Sequence, residues 1–427
     1  MLTQHINRCI QKALNAQRRG NVSEAILAFR EALGFDPDNA QLHNSLGNVL
    51  LERGAAREAR EHFERAASLD PQAPELFLNL AKSCRLQPDD RGEQAALEAA
   101  LRIDQRHFMA RLRLAELHER CGSMAEAATH WGAVVALAPV DQDCPPPLIP
   151  VLEHGRAFLA ARGAAFEAAI APALAPTIAG ADEQGRRRFT ACLDVAFGKR
   201  RIYANECHGL HYPFLPADEF FSRAAFPWFS ELEANTSVVR AEAAQLLAGR
   251  AAGIAPYVKQ DPGTPPNKWS ELDGSSKWSA YFFWQHGVRN EQNCLTCPQT
   301  AALLDRLPLI NIPGRAPTAF FSILEPRARI PPHTGVTNTR SIIHLPLIVP
   351  ARCGFRVGGE TRAWQEGEAF AFDDTIEHEA WNDSDEARVV LIMDGWNPHL
   401  NEDERSLLRR FFVTSDNSGF GTSSLEG

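Results

Sequence analysis

Apolar and small residues recur every 34 positions through the first third of the chain. A leucine, a turn glycine and a large aromatic residue keep this spacing: Leu46, Leu80 and Leu114; Gly20, Gly54 and Gly122; Phe29, Phe63 and Trp131. Asp-Pro pairs at 36–37 and 70–71 stop a helix, because proline disfavours helical geometry in the residue before it. The pattern predicts consecutive helix pairs. The third unit departs from it, with Glu93 at a small position and Leu97 at the aromatic one.

This period resembles the tetratricopeptide repeat family over residues 4–142. The resemblance implies an all-α, TPR-like solenoid as a first domain, residues 1–142. Small residues would let paired helices approach, and large ones would fill the gap between units, so packing accounts for nearly all periodic positions. Repeat arrays commonly bind a peptide or protein on their concave face, and we expect such a partner here. A structural or dimerising role is the alternative.

The pattern changes after the repeats. A proline-rich boundary at 141–150 precedes a mostly helical segment, 143–207, which either extends the solenoid or caps it. Within residues 317–396, short runs of β-branched and aromatic residues alternate with Gly and Pro turn signals, as in a sandwich or jelly-roll barrel. We therefore predict an α + β multidomain protein with a second domain at 208–412. The composition of residues 413–427 predicts a disordered tail.

Composition narrows the function classes. The chain has 44% hydrophobic and 23% charged residues and a formal charge of -9, so no nucleic-acid partner is expected. We find no signal peptide and no uninterrupted apolar stretch of about 20 residues, and we therefore expect a cytoplasmic protein without a membrane partner. The nine cysteines are read as reduced thiols. Cys294 and Cys297 form a lone CxxC, for which ordinary thiols are a better interpretation than a metal site.

Three residues of the β-rich segment suggest a metal site next to an anion site. His333 lies between two predicted strands, and His378 lies where one strand ends and another begins. Neutral imidazoles suit iron(II), and a small barrel mouth brings residues from separate strands together. Arg388 opens an apolar strand, where a buried guanidinium needs an anion such as a carboxylate. Each residue alone has an ordinary explanation, and their order within one β-rich unit supports the hypothesis.

Residues 212–400 resemble the aspartyl/asparaginyl β-hydroxylase family. The matching segments are FFSILEP, PPHTGVTNTRSIIHLPLIVP, WQEGEAFAFDDTIEHEAWN and RVVLIMDGWNP. The resemblance implies a double-stranded β-helix (jelly-roll) oxygenase domain that uses Fe(II), 2-oxoglutarate and O2. It also implies hydroxylation of an unactivated carbon, the β-carbon of an Asp or Asn residue.

The resemblance assigns a role to each candidate in the cosubstrate and substrate pockets. Arg388, with Ser322, would bind the distal carboxylate of 2-oxoglutarate. His344 would lie by its metal-side carboxylate, and Trp284 near the same pocket. Arg340 would lie near the acidic group of the substrate.

By the same resemblance, His333 and His378 are the metal ligands. Most such oxygenases add a carboxylate two residues after the first histidine, but this chain has Gly335 there, as this family does. A second departure is Ile342, where the family often has arginine beside Arg340. This leaves the substrate and cosubstrate contacts open, but not the metal ligands.

Three functions follow from these observations. The first is a 2-oxoglutarate-dependent dioxygenase that hydroxylates Asp or Asn in a protein or peptide recruited by the repeats. The second is an oxygenase acting on a free or carrier-bound amino acid or another small molecule. The third is a non-catalytic repeat scaffold, which the intact candidate set His333, His378, Ser322 and Arg388 disfavours.

Overall fold

A computed structural model describes residues 2–139, 144–249 and 251–418 of the 427 residues. The chain divides into two compact units, Met1–Arg200 and Arg201–Gly427. In the first unit the repeats form consecutive helix pairs: α1 Leu2–Arg18, α2 Val22–Phe35, α3 Ala40–Glu52, α4 Ala56–Leu69, α5 Pro74–Arg85, α6 Asp90–Ile103, α7 Phe108–Arg120 and α8 Met124–Leu137. Residues 140–143, at the predicted boundary, lie outside the described residues.

Small residues let the paired helices touch, as the period predicted. A Cβ on Gly47 of α3 would lie 2.6 Å from a ring carbon of Phe63 on α4. Only glycine at position 47 therefore leaves room for the Phe63 ring. The turn residues Gly20, Gly54 and Gly122 have φ angles of 72°, 82° and 77°, which glycine adopts without steric cost. The periodic positions are therefore packing and turn positions, and the all-α N-terminal part is confirmed.

Two helices follow the repeats, α9 Ile149–Gly180 and α10 Glu183–Ala196. The first turns of α9 cover the end of the array: Leu152 is buried, and a Cβ on Gly155 would lie 2.7 Å from the Trp131 ring. The start of this segment thus caps the solenoid. Within the described chain, the rest of α9 and all of α10 contain no fully buried residue.

The stretch Pro146–Gly180 is long and apolar enough to cross a membrane, judged by length and composition alone, and its apolar window is not buried. Arg162, Glu167, Pro172 and Pro176 interrupt this stretch. The stretch is therefore not uninterrupted, as the sequence indicated, although its length and composition make it a candidate membrane span.

The second unit combines a β-rich core with short helices. Its strands are β1 Ala255–Pro256, β2 Trp278–Gln285, β3 Val288–Arg289, β4 Ala319–Leu324, β5 Arg329–His333, β6 Arg340–Ile348, β7 Cys353–Val357, β8 Glu360–Ala363, β9 Phe370–Phe372, β10 His378–Asn382 and β11 Arg388–Trp396. Its helices are α11 Phe229–Ala234, α12 Thr236–Gly249, α13 Glu291–Thr296, α14 Pro298–Leu304 and α15 Glu402–Ser418.

The strands form two antiparallel sheets. The larger has the order β1-β2-β4-β11-β6-β9, with β3 paired to β2, and the smaller has the order β5-β10-β7-β8. From β4 to β11 the chain alternates between the sheets except at the β7–β8 hairpin, which is the strand arrangement of a jelly roll. An apolar cluster joins them, with Leu324 and Val390 from the larger sheet and Ile330 and Val357 from the smaller.

The observed ends of the second unit differ from the predicted domain bounds. The unit begins at Arg201 rather than 208, since Asn205 Nδ2 donates to Asp373 Oδ2 at 2.8 Å and holds this segment on the barrel. At the other end, α15 continues through Ser418, where Phe412 is buried in a core cluster, so residues 413–418 are helical rather than disordered. The rest of the predicted tail, 419–427, lies outside the described residues.

Candidate active site

The two predicted metal ligands meet across neighbouring strands. His333 ends β5 and His378 begins β10, and the two are direct partners in the antiparallel register. Their ring centroids lie 4.0 Å apart. Both rings line a cavity of about 540 Å³ whose walls come from both sheets. The fold thus brings together two histidines that are 45 residues apart in the sequence.

Both imidazoles are held in the same tautomer. His333 Nδ1 lies 2.8 Å from the Pro331 carbonyl oxygen, and His378 Nδ1 lies 3.0 Å from that of Ile376. A carbonyl only accepts, so Nδ1 carries the proton and Nε2 keeps the lone pair that binds metal. Burial lowers the pKa of His378 to about 4 and that of His333 well below its ordinary value. Both rings are therefore neutral at pH 7.

Arg388 lies in the wall of the same cavity and is the largest fully buried side chain of the described residues. Its Nε and Nη2 atoms have no hydrogen-bond partner there. The Trp364 ring lies 5.1 Å from the guanidinium carbon. Burial lowers the pKa of Arg388 to about 10, which still leaves it charged at pH 7. Because burying a cation without acceptors raises the free energy of the folded protein, we expect an anionic ligand to bind beside Arg388.

Ser322 of β4 faces the cavity on the same side as Arg388. It pairs with Val390, which is two residues from Arg388 on β11, and residues two apart on a strand share a face. Trp278 Nε1 donates to Ser322 Oγ at 3.0 Å. The hydroxyl oxygen therefore accepts from the indole, and its proton remains to donate to an anion beside Arg388. Sequence reasoning did not single out Trp278.

The predicted residues Arg340 and His344 lie on β6 with Ile342 between them, and because the three are spaced two apart they all line the cavity. His344 stacks on Trp364 with ring centroids 5.4 Å apart, and its Nδ1 has no partner among the described residues. Arg340 Nη2 donates to Asp374 Oδ2 at 3.0 Å. The guanidinium expected near a substrate acid thus already has a protein carboxylate beside it.

Asp374 is a second cavity residue that the sequence did not single out. Its carboxylate lies against Gly335, where a Cβ would be 2.2 Å from Oδ2. Oδ1 has no hydrogen-bond partner among the described residues. A carboxylate from the loop before β10 thus fills the space that a side chain at position 335 would need. The only signal in the sequence was the Asp pair shortly before His378.

Trp284, predicted to lie near the cosubstrate, does not line this cavity. The ring packs against a different core cluster, and Arg289 lies over it at 5.1 Å. The reason is an irregularity of β2 between Phe282 and Trp284, which breaks the alternation that starts at Trp278. Trp278 faces the cavity instead.

The CxxC thiols are ordinary core residues. Cys294 and Cys297 are buried, free and part of an apolar cluster. Burial raises the pKa of Cys297 to about 12, which keeps the thiol protonated at neutral pH. This agrees with the interpretation as ordinary thiols.

The side chains that line the cavity could hold a metal ion with a chelating carboxylic acid beside it. Two neutral imidazoles whose Nε2 atoms keep their lone pairs face a cavity that also holds the Arg388 guanidinium, whose Nε and Nη2 have no hydrogen-bond partner among the described residues. Across residues 2–139, 144–249 and 251–418, no group of three or more His, Cys, Asp or Glu side chains could hold a metal. The pair His333 and His378 would therefore leave further coordination positions to water or a bound acid. That no protein carboxylate binds the metal stays a prediction.

Comparison with known sequences decides the family of this domain. The family model described as aspartyl/asparaginyl beta-hydroxylase matches residues 233–398, which contain every predicted site residue. Residues 233–398 are thus similar to the aspartyl/asparaginyl beta-hydroxylase family. A tetratricopeptide repeat model matches residues 10–74 in front of this hydroxylase domain.

Two curated relatives match part of this chain. An ornithine lipid ester-linked acyl 2-hydroxylase of Rhizobium tropici is 36% identical over 196 residues, which is 45% of this chain and 66% of that protein. The human aspartyl/asparaginyl beta-hydroxylase is 34% identical over 178 residues, 42% of this chain and 22% of that protein. Each match thus spans less than two thirds of the relative. Among solved structures, a MamA protein aligns with 18% identity and a TM-score of 0.31 over 32% of this chain and 74% of that chain.

Proposed function

We propose that this chain is an iron(II)- and 2-oxoglutarate-dependent hydroxylase. The observation that carries the proposal is one cavity that holds two neutral histidines whose Nε2 atoms keep their lone pairs and a buried arginine whose Nε and Nη2 have no hydrogen-bond partner among the described residues. His333 and His378 would hold the iron, and Arg388 with the Ser322 hydroxyl would bind the distal carboxylate of 2-oxoglutarate. His344 would lie beside its other carboxylate.

The bound iron would supply the oxygen chemistry, and the protein would supply orientation and a dry pocket. The carbonyls of Pro331 and Ile376 fix the ring orientation of the two ligands. The rings of Trp364 and Phe372, both buried, pack on His344 and His378 and keep water from the inner wall. These contacts hold the reacting groups in one geometry and exclude competing reactions.

The test is succinate formation by the purified full chain with iron(II), 2-oxoglutarate and oxygen. We expect succinate above the level without iron, and none from His378→Ala. Succinate that forms equally without iron, or from the variant, contradicts the proposal. A protein that binds 2-oxoglutarate but never forms succinate with any substrate would instead be the repeat scaffold.

For the substrate we propose first an Asp or Asn residue of a protein or peptide that the repeats recruit. Two observations support this: the human relative carries that activity in its name, and tetratricopeptide repeats precede the domain. Incubation with a peptide library should give a mass increase of one oxygen on Asp- or Asn-containing peptides. Loss of that product when Asp and Asn are replaced by Ala would confirm the target residue.

A second candidate is the acyl chain of a lipid. The relative from Rhizobium tropici has a lipid acyl group in its name, and the cavity supports this candidate independently. Arg340 already pairs with Asp374, and the neighbouring Ile342 adds an apolar wall, so the inner site has little need of a substrate acid. Stimulation of succinate formation by dispersed lipid but not by peptides would favour this substrate over the first.

A further inference from the structure

We propose that α9 and α10 form a hairpin that docks on the surface of an anionic phospholipid bilayer. The proposal concerns the first unit only and goes beyond the hydroxylase function, because docking needs neither the metal nor turnover. The hairpin is defined as residues 149–196 with the basic residues that follow to Arg200.

The apolar surface of the hairpin is only partly covered in the described chain, where Phe166 packs against Phe197. The apolar window of Pro146–Gly180 is not buried, and α10 contributes no buried residue. Phe166 on α9 is 48% exposed and Phe189 on α10 is 45% exposed. A helix that is apolar on all sides usually belongs to a protein core or to a membrane, and here the core is missing.

Two details of α9 favour a lipid environment over water. Its interior contains Pro172 and Pro176, and a proline inside a helix in water costs about 3 kcal/mol, whereas membrane helices tolerate it more often. The carboxylate in the second half of α9, Glu167, forms an ion pair with Lys199. This ion pair neutralises one of the carboxylates that would oppose contact with lipid.

Charge decides which surface the hairpin fits. Residues 149–200 contain seven basic and five acidic residues, and three of the basic ones, Arg186, Arg187 and Arg188, are consecutive. The chain as a whole carries a formal charge of -9, so the basic residues here reverse the general balance. A basic segment next to an apolar helix is the combination that binds anionic headgroups while apolar side chains enter the interface.

The experiment is co-sedimentation of the full chain with vesicles of phosphatidylcholine alone or with added phosphatidylglycerol. We expect binding to the anionic vesicles, weakened by salt because headgroup attraction is screened. Replacing Arg186, Arg187 and Arg188 with Gln should weaken binding about fivefold per residue, or roughly a hundredfold in all. Binding equal on both vesicle types, or none on the anionic ones, overturns the proposal.

Matched control variants test whether vesicle binding depends on the hairpin or on charged and apolar residues elsewhere on the surface. Replacing the exposed Arg8, Arg57 and Arg91 of the repeats with Gln removes the same charge and should leave vesicle binding within twofold. Phe189→Gln should weaken binding, whereas Leu27→Gln, on a residue that is 65% exposed in the repeats, should not. Equal effects of the hairpin variants and their controls would overturn the assignment of the surface.

A second copy of the chain is the competing occupant. Sedimentation velocity without lipid should show the same mass for the parent and for Phe189→Gln. A dimer that this variant dissociates would overturn the bilayer proposal, because the apolar surface would then belong to a protein interface.

The salt dependence of the parent protein keeps the test valid if a variant fails to fold. Succinate formation from soluble components should be unchanged in the hairpin variants, so a failed docking test leaves the proposed function untouched.

Discussion

The carboxylate of Asp374 occupies the space that a side chain at Gly335 would need, since an added Cβ would lie 2.2 Å from Oδ2. Gly335→Ala must therefore displace Asp374 from Arg340. We expect the free energy of unfolding to fall by about 1–3 kcal/mol, the usual cost of overpacking, in urea denaturation. Gly132→Ala is the control, because nothing lies within 4 Å of its added Cβ. Equal stability of the Gly335 variant and the parent would contradict the close contact.

The histidine pair is expected to provide the protein ligands of the metal. His333→Ala or His378→Ala should abolish succinate formation and reduce iron(II) affinity at least tenfold in calorimetry, because each removes one of two imidazole donors. His399→Ala is the control, since this histidine bonds Asp218 and does not line the cavity. Parent-like iron affinity in either ligand variant would refute the assignment.

Arg388 is expected to hold 2-oxoglutarate. A hydrogen bond to a charged group contributes roughly 1.5–3 kcal/mol, so Arg388→Ala should weaken 2-oxoglutarate binding about ten- to a hundredfold. Binding of iron(II) should persist, because Arg388 lies on the opposite sheet from the two histidines. Titration calorimetry measures both ligands. An unchanged dissociation constant for 2-oxoglutarate would exclude this role.

Buried histidines should make the metal-free protein less stable in acid. The pKa of His378 is about 4 in the fold and near 6.5 when unfolded, and burial lowers the pKa of His333 and His344 in the same direction. Between these values the unfolded chain binds more protons, so the free energy of unfolding falls as the pH drops from 6.5 towards 4. For His378 alone the full loss is about 3 kcal/mol.

Urea denaturation at about pH 7, 6 and 5 tests this dependence. The midpoint of the parent should decrease over the series, and His378→Gln should decrease less because its side chain does not titrate. A slope that is the same in both proteins would show that His378 is protonated to the same extent in the folded and unfolded states.

The repeats are expected to recruit substrate without taking part in the chemistry. Every predicted site residue lies in the second unit, which begins at Arg201. A fragment of residues 201–427 should therefore keep 2-oxoglutarate decarboxylation, provided circular dichroism shows that it folds. It should lose efficiency on a protein substrate more than on a short peptide, because only the protein gains effective concentration from a second binding site. A folded fragment as efficient as the full chain on both would disprove recruitment.

The sequence by itself determined the repeat array, the order of the two domains and the histidine and arginine candidates. These features are local or periodic. A spacing of 34 residues defines a helix pair whatever surrounds it, and the hydroxylase motifs are continuous segments such as PPHTGVTN and DDTIEHEAW. Alternation along β6 also predicts that Arg340 and His344 share a face, since residues two apart on a strand point the same way.

Only the tertiary structure decided what fills the cavity between these residues. The pairing of Arg340 with Asp374 joins residues that are 34 positions apart, on a strand and a loop that meet only in the fold. An irregularity in β2 places Trp284 on the other side of the sheet from the cavity, and Trp278 donates the hydrogen bond to Ser322. The alternation of residues in the sequence does not reveal this irregularity. Cross-strand register and loop packing depend on contacts distant in sequence, so they were fixed only when the two sheets came together.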